Sequence, residues 1–275
     1  MHPKVISSIL VMVLATAFTI HSYAVENRNA GGRSQGLANA SVALTGVESV
    51  FQNQAALGFE MDLSAIIAYE SRFLMKEYAH MSLGLVIPSA LGNFGVGFYQ
   101  FGSRIYRENK VGLAYARTFG ENISVALQFN YFSETIPENR DPNTSFNVEA
   151  GILFRISEKV SGGLHVFNPT MAKLNTTGGQ QKLPWAIRLG KVWYISSQLL
   201  WSVEAEKHER HSWIIKTGLE YRPNPLFFLR AGINGTSFQP TGGVGIHIGK
   251  FIFDTGFSYH GNLGFTPSTS VCIVL

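Results

Sequence analysis

Cysteine is nearly absent from this 275-residue chain, with Cys272 standing alone. One thiol cannot form an intramolecular disulfide, so packing or a bilayer must hold the fold together. Charge is also scarce: charged residues make up 15% of the chain, against about 25% in soluble domains. The formal net charge is only +4 and no basic cluster occurs, which leaves nucleic-acid binding without support. Mean hydropathy is near zero, and no long apolar run follows the N-terminal region, which excludes a bundle of membrane-spanning helices. No serine sits in a Gly-x-Ser-x-Gly elbow, and no repeat of fixed period runs along the chain.

What the chain has instead is alternation. In "VGIHIGKFIFDTGFSYH", Val244 to His260, every second residue is apolar on either side of the two-residue turn Gly249–Lys250. Alternation of this kind marks a β-strand, and the turn makes the stretch a tight hairpin with Ile248 opposite Phe251. Its apolar face points either to a protein core or to lipid.

The N-terminus reads as a secretory signal over residues 1–24. Lys4 supplies the positive charge, "VISSILVMVLATAFTI" the apolar stretch, and Ser22–Ala24 a small-x-small cleavage site before Val25. An uncleaved anchor is the competing reading, but the run is short for a span of about 20 residues. Residues 25–60 read as a separate plug or cap. Within them, 36–58 is rich in Ala, short of aromatics, and reads as one or two short helices broken at Asn39 and Asn53.

Residues 61–275 alternate almost throughout. They divide into about fourteen strands near 62–71, 77–88, 92–101, 106–119, 121–133, 145–156, 158–168, 183–194, 197–207, 212–222, 225–234, 240–249, 250–260 and 266–275. Most are long enough for the roughly 9–11 residues a tilted strand needs to cross a bilayer. The links alternate between short ("PSAL", "FGEN", "SEK", "ISS", "RPNP", "GK") and long, as short periplasmic turns and longer outer loops do in outer-membrane barrels. A soluble secreted β-sandwich would also alternate, but has no reason to gather its long loops at one end.

One face of these strands carries residues such as Ile123, Val125, Leu127, Phe129 and Tyr131, and is assigned to lipid. The other carries Glu149, Arg155, Arg188, Glu204, Lys216, Glu220, Arg230, His247 and Asp254, spaced by glycines. Arg or Lys facing lipid at mid-depth costs about 2–4 kcal/mol, so these residues are assigned to the lumen. Trp185, Trp193, Trp213, Tyr221 and Tyr259 fall near strand ends, where aromatic girdles belong. The lumen carboxylates could form an acid/base pair, but with four basic residues on the same face an ion-pair network is the simpler reading. His208 and His211, three apart, have no third ligand at a sensible spacing, so a solvated loop is favoured over a metal site. Cys272 alternates with Val271 and Ile273 and reads as an inward, inert thiol. No enzyme, cofactor or metal is expected.

The stretch "GGRSQGLANASVALTGVESVFQNQAALGF" resembles the start of the FadL-like outer-membrane barrels, in particular the PorV/PorQ group. The resemblance rests on Gly31-Gly32-Arg33, Gly36 to Ala43 and Asn53 to Leu57. It implies a small helical segment entering or capping a fourteen-stranded barrel in the outer membrane. The family's Asn-Pro-Ala is here Asn53-Gln54-Ala55, with Asn53 left to cap or bend the chain. Two functions follow from the resemblance. PorV/PorQ-like barrels are accessory scaffolds of type IX secretion, with secretion-system proteins as partners. FadL-like barrels pass hydrophobic ligands through a gated lumen with an apolar inner pocket. The charged, glycine-rich inner face inclines the reading toward the scaffold.

Overall fold

A computed structural model describes residues 30–137, 141–176, 179–209, 212–235 and 238–275. The signal-like segment with its cleavage site, and His211, lie outside the described residues.

The alternating segments form strands β1 (Ser64–Ser71), β2 (Ala79–Ile87), β3 (Asn93–Gly102), β4 (Arg107–Phe119), β5 (Ile123–Thr135), β6 (Asn143–Ser157) and β7 (Val160–Phe167). A small hairpin follows, β8 (Lys173–Thr176) and β9 (Gly179–Lys182). The second half holds β10 (Ala186–Tyr194), β11 (Leu199–His208), β12 (Ile214–Asn224), β13 (Phe227–Asn234), β14 (Gln239–Ile248), β15 (Phe251–His260) and β16 (Gly264–Val274). Each barrel strand pairs antiparallel with its neighbour, β7 joins β10, and β1 joins β16 through Ser64↔Val274. The result is a closed fourteen-stranded barrel with no free edge. Closure satisfies every strand's backbone groups internally, as hydrocarbon requires.

Register confirms the opening hairpin: Ile248 pairs with Phe251 across Gly249–Lys250, where Gly249 adopts φ 60°. Phe251, Phe253 and Phe257 stand on the exposed outer face, while Asp254 is 1% exposed on the inner one. β5 divides the same way, with Phe129 62% exposed and Gln128 2%. Trp213, Tyr221 and Tyr259 are exposed near strand ends, and Trp193 stacks on Trp201 at 4.8 Å. A soluble sandwich would bury its large apolar side chains between two sheets. Here they surround a closed barrel on its outside, a continuous apolar surface that only lipid covers. The chain is therefore an outer-membrane barrel.

The β8–β9 hairpin was not anticipated. It lies in a link that reads as polar loop, because "KLNTTGGQQK" carries no apolar alternation. It attaches to β6 through Thr144↔Asn175, and Leu174 and Leu183 pack on Phe132, Phe167 and Ala186. The link thus folds over the barrel mouth.

Loop lengths predict the orientation, with the short links β6–β7, β12–β13 and β14–β15 expected to face the periplasm. An epitope inserted at Gly249–Lys250 should be silent on intact cells, and one at Asp141–Pro142 should be labelled. The reverse pattern would invert the barrel in the membrane.

Candidate functional site

The interior is filled by the chain's own N-terminal segment. Helix α1 (Gly32–Gly36) packs on β14 and β15. Ala38 and Asn39 then take left-handed φ of 56° and 59°, turning the chain back across the lumen. A 3₁₀ turn spans Val47–Phe51, and a second spans Gln54–Phe59 against β4, β5 and β6. Asn53 caps the second turn, its Oδ1 accepting from the Ala55 N–H at 3.2 Å, as expected of Asn at a helix start. Its Nδ2 donates to the Val42 carbonyl at 2.7 Å and to Ile152 of the wall at 3.2 Å. Asn53 thereby does the stopping and bending left open by Gln54 in the place of proline. Gln54 itself donates to Glu149 Oε2 at 3.2 Å, and Ala55 is fully buried. Asn39 Nδ2 contacts Gln35 Oε1 at 3.4 Å.

The barrel wall offers this segment two kinds of surface. Along β10–β15 the wall is charged. Arg188, 1% exposed, donates to both oxygens of Glu204 at 2.9 and 3.1 Å, and reaches the plug at the Gln52 carbonyl (3.1 Å) and Ser41 Oγ (3.2 Å). Glu204 in turn accepts the Ser41 and Val42 N–H groups at 2.9 and 2.8 Å. Lys216 joins Glu204 at 3.3 Å and also pairs with Glu206. Glu220 holds Arg33 of the plug at 3.0 Å and Arg230 at 2.7 Å, and Arg230 continues to Asp254 at 2.6 Å. Across the lumen, Glu149 collects Lys110, His165, Asn130 and Gln128. Glu149, Glu204, Glu206, Glu220 and Asp254 thus each have a cationic partner, which compensates their desolvation. Glu60, at the periplasmic end of the plug, accepts the Gly46 N–H at 2.8 Å, and burial holds its carboxyl above the usual range.

On the periplasmic halves of β2–β5 the wall is apolar and thin. Gly84, Gly95, Ala114, Ala116 and Ala126 face inward, and Val50, Phe51 and Leu57 of the plug rest on them. A Cβ on Gly84 would stand 2.7 Å from Val50, and one on Gly95 2.6 Å from Leu57, so these glycines admit the plug. The charged, glycine-rich inner face read from the sequence thus also holds an apolar patch.

Two placements also differ from the sequence reading. Arg155 is exposed at the periplasmic rim, where β6 shifts register beside its turn, and its guanidinium lies 3.8 Å from the Phe59 ring centroid in place of joining the ion pairs. His247 lines the periplasmic vestibule and makes none of the ion pairs above. Arg33, Lys110, His165 and Glu206 were missed. Parity could have found the last three, since each shares a face with an inward residue of its own strand. His208 ends β11 and pairs with Glu206 at 2.5 Å, so it belongs to the lumen mouth, not to a free loop.

On either side of the plug lies a vestibule. The outer one, of about 270 Å³, is polar and bordered by Gln35, Asn39, Glu206 and Lys216. The inner one, of about 490 Å³, is bordered by Arg33, Glu48, His247 and Cys272. These features define a plugged outer-membrane barrel.

No family model matches the sequence, and no curated protein matches it. The fold is that of the FadL-like barrels. The Ralstonia pickettii toluene transporter TbuX superposes with a TM-score of 0.64 at 12% identity, over 89% of this chain and 97% of that one. The Pseudomonas putida toluene transporter TodX gives 0.63 at 10% identity, over 90% and 97%. A Pseudomonas aeruginosa FadL homologue gives 0.65 at 11%, over 91% and 99%. These neighbours support the fold and leave the PorV/PorQ subgroup without support.

Proposed function

We propose that this barrel is a gated channel for small hydrophobic molecules, monoaromatic hydrocarbons among them. The observation that carries this reading is an apolar patch on the wall under the two 3₁₀ turns. Gly84, Gly95, Ala114, Ala116 and Ala126 make this inner surface on the periplasmic side of the Lys110–Glu149 cluster, and Val50, Phe51 and Leu57 occupy it in the closed state. A shift of the two 3₁₀ turns uncovers that surface between the vestibules, while the charged wall holds α1 in place. Fold likeness to two toluene transporters supports the same class of solute. The secretion-scaffold reading drew on a charged inner face, which describes only part of the lumen.

The test is uptake by cells expressing the barrel, comparing labelled toluene with a sugar of similar size. Saturable entry of the hydrocarbon above an empty-vector control, with no gain for the sugar, is the expected result. Equal entry of both, or no gain for either together with recovery of a secretion-system protein from native membranes, would return the reading to the scaffold.

A further inference from the structure

Where the plug meets the seam between β15 and β16, three potential metal donors converge. Glu48 comes from the 3₁₀ turn Val47–Phe51, Asp254 from β15 and Cys272 from β16. All three are buried, and one ligand atom from each lies within 4.8 Å of the other two. Asp254 supplies an independent sign that the cluster is incomplete. Its Oδ1 is turned to Arg230 Nη1 at 2.6 Å, and its Oδ2, in a side chain 1% exposed, has no hydrogen-bond partner. A buried carboxylate oxygen without a donor is costly and calls for one.

We propose that Glu48, Asp254 and Cys272 bind a divalent transition-metal ion of the zinc type, which clamps the plug to the barrel wall. The donor set fits: one thiolate and two carboxylates are ligands zinc accepts, at about 2.3 Å for sulfur and about 2.0–2.2 Å for oxygen. A tetrahedral ion of those dimensions separates its ligand atoms by roughly 3.3–3.7 Å, so shifts of about 1 Å close the set. Charge fits as well. Glu48, Asp254 and Glu220 face Arg33 and Arg230, which leaves one negative charge over. Binding releases the Cys272 proton to solvent and forms a metal–sulfur bond, so the divalent ion meets two net negative charges and the cluster becomes neutral. The ion has a route, because all three residues line the inner vestibule, and water there can fill a fourth position. Sodium, magnesium or calcium would not draw on a thiolate, which selects the softer ions. Glu48 lies on the plug and the other two residues on the wall, so occupancy ties the two together.

The experiment uses the full barrel in detergent, stripped with a chelator, and titrated with zinc by calorimetry and with cobalt by absorbance. We expect one equivalent bound, a cobalt–thiolate charge-transfer band, and a rise in the thermal midpoint on adding zinc. Cys272→Ser should remove the band, and Cys272→Ser and Glu48→Gln should each weaken zinc binding about tenfold or more. Heat-modifiable migration of both variants on gels shows that they have folded. Absence of binding at micromolar zinc, or a titration that neither substitution alters, would overturn the site.

Discussion

Deletion of residues 31–59 should convert a nearly silent barrel into a conducting one, with single-channel current in planar bilayers raised by an order of magnitude or more. Eight strands already leave an interior that side chains just fill, so fourteen enclose a bore that needs an occupant. That occupant is the N-terminal segment, in which Leu37, Val42, Ala55, Ala56 and Leu57 are all at most 1% exposed. Its removal exposes a wall on which a patch of small residues sits among polar and charged ones. Water then solvates Glu149, Arg188 and Glu204 in place of the plug, so the wall loses partners without being left dry. The closed strand pairing from β1 to β16 does not involve the segment, and heat-modifiable migration should persist in the deletion. A folded deletion that conducts no better than the full chain would show that the plug does not seal the lumen.

Arg188→Met should be the most damaging single substitution in the lumen. Arg188 makes four hydrogen bonds, two to Glu204 and two to the plug, from a site 1% exposed. Losing one partner of a buried ion pair costs roughly 3–5 kcal/mol, chiefly because the other charge is left uncompensated. Glu204 keeps Lys216 and the Ser41 and Val42 N–H groups, which places the loss toward the lower end. Two readouts should move together: the thermal midpoint falls and leak current rises, since the same guanidinium holds the plug. Pairing it with Glu204→Gln removes the orphaned charge and should restore part of the stability, but little of the seal. Arg72→Ala makes the control. Its ion pair with Glu70 has the Arg72 side chain 32% exposed, so solvent screens it and the seal should be unaffected. If Arg188→Met behaves like Arg72→Ala, the network is not what fastens the plug.

The strands were legible because alternation is local. A charge on the lipid side is costly toward the middle of the membrane, so the face of Arg188, Glu204, Lys216, Glu220, Arg230 and Asp254 could be read from parity with their apolar neighbours. The same rule applied to β4, β7 and β11 would have added Lys110, His165 and Glu206. It fails at Arg155, where a register shift beside a turn lets the side chain leave the lumen for the rim and stack on Phe59. It also fails for the β8–β9 hairpin, whose polar strands have no buried face of their own and are held by the barrel mouth. The apolar patch of the lumen escaped notice for a different reason. Gly84, Gly95, Ala114, Ala116 and Ala126 carry no signal of hydrophobicity individually, and become an apolar surface only when four strands place them side by side.

Sequence by itself determined which residues face lipid and which face inward, where the chain turns, and that an Ala-rich segment precedes the strands. Each of these depends on residues a few positions apart. Tertiary structure alone decided which inward groups meet. Arg33 reaches Glu220 across 187 residues, and the Gly32 N–H reaches Ser270 Oγ across 238. Such partners share no local pattern: the N-terminal segment, folded back into the barrel, brings Arg33 to Glu220 and sets Glu48 beside Asp254 and Cys272 of the neighbouring strands β15 and β16.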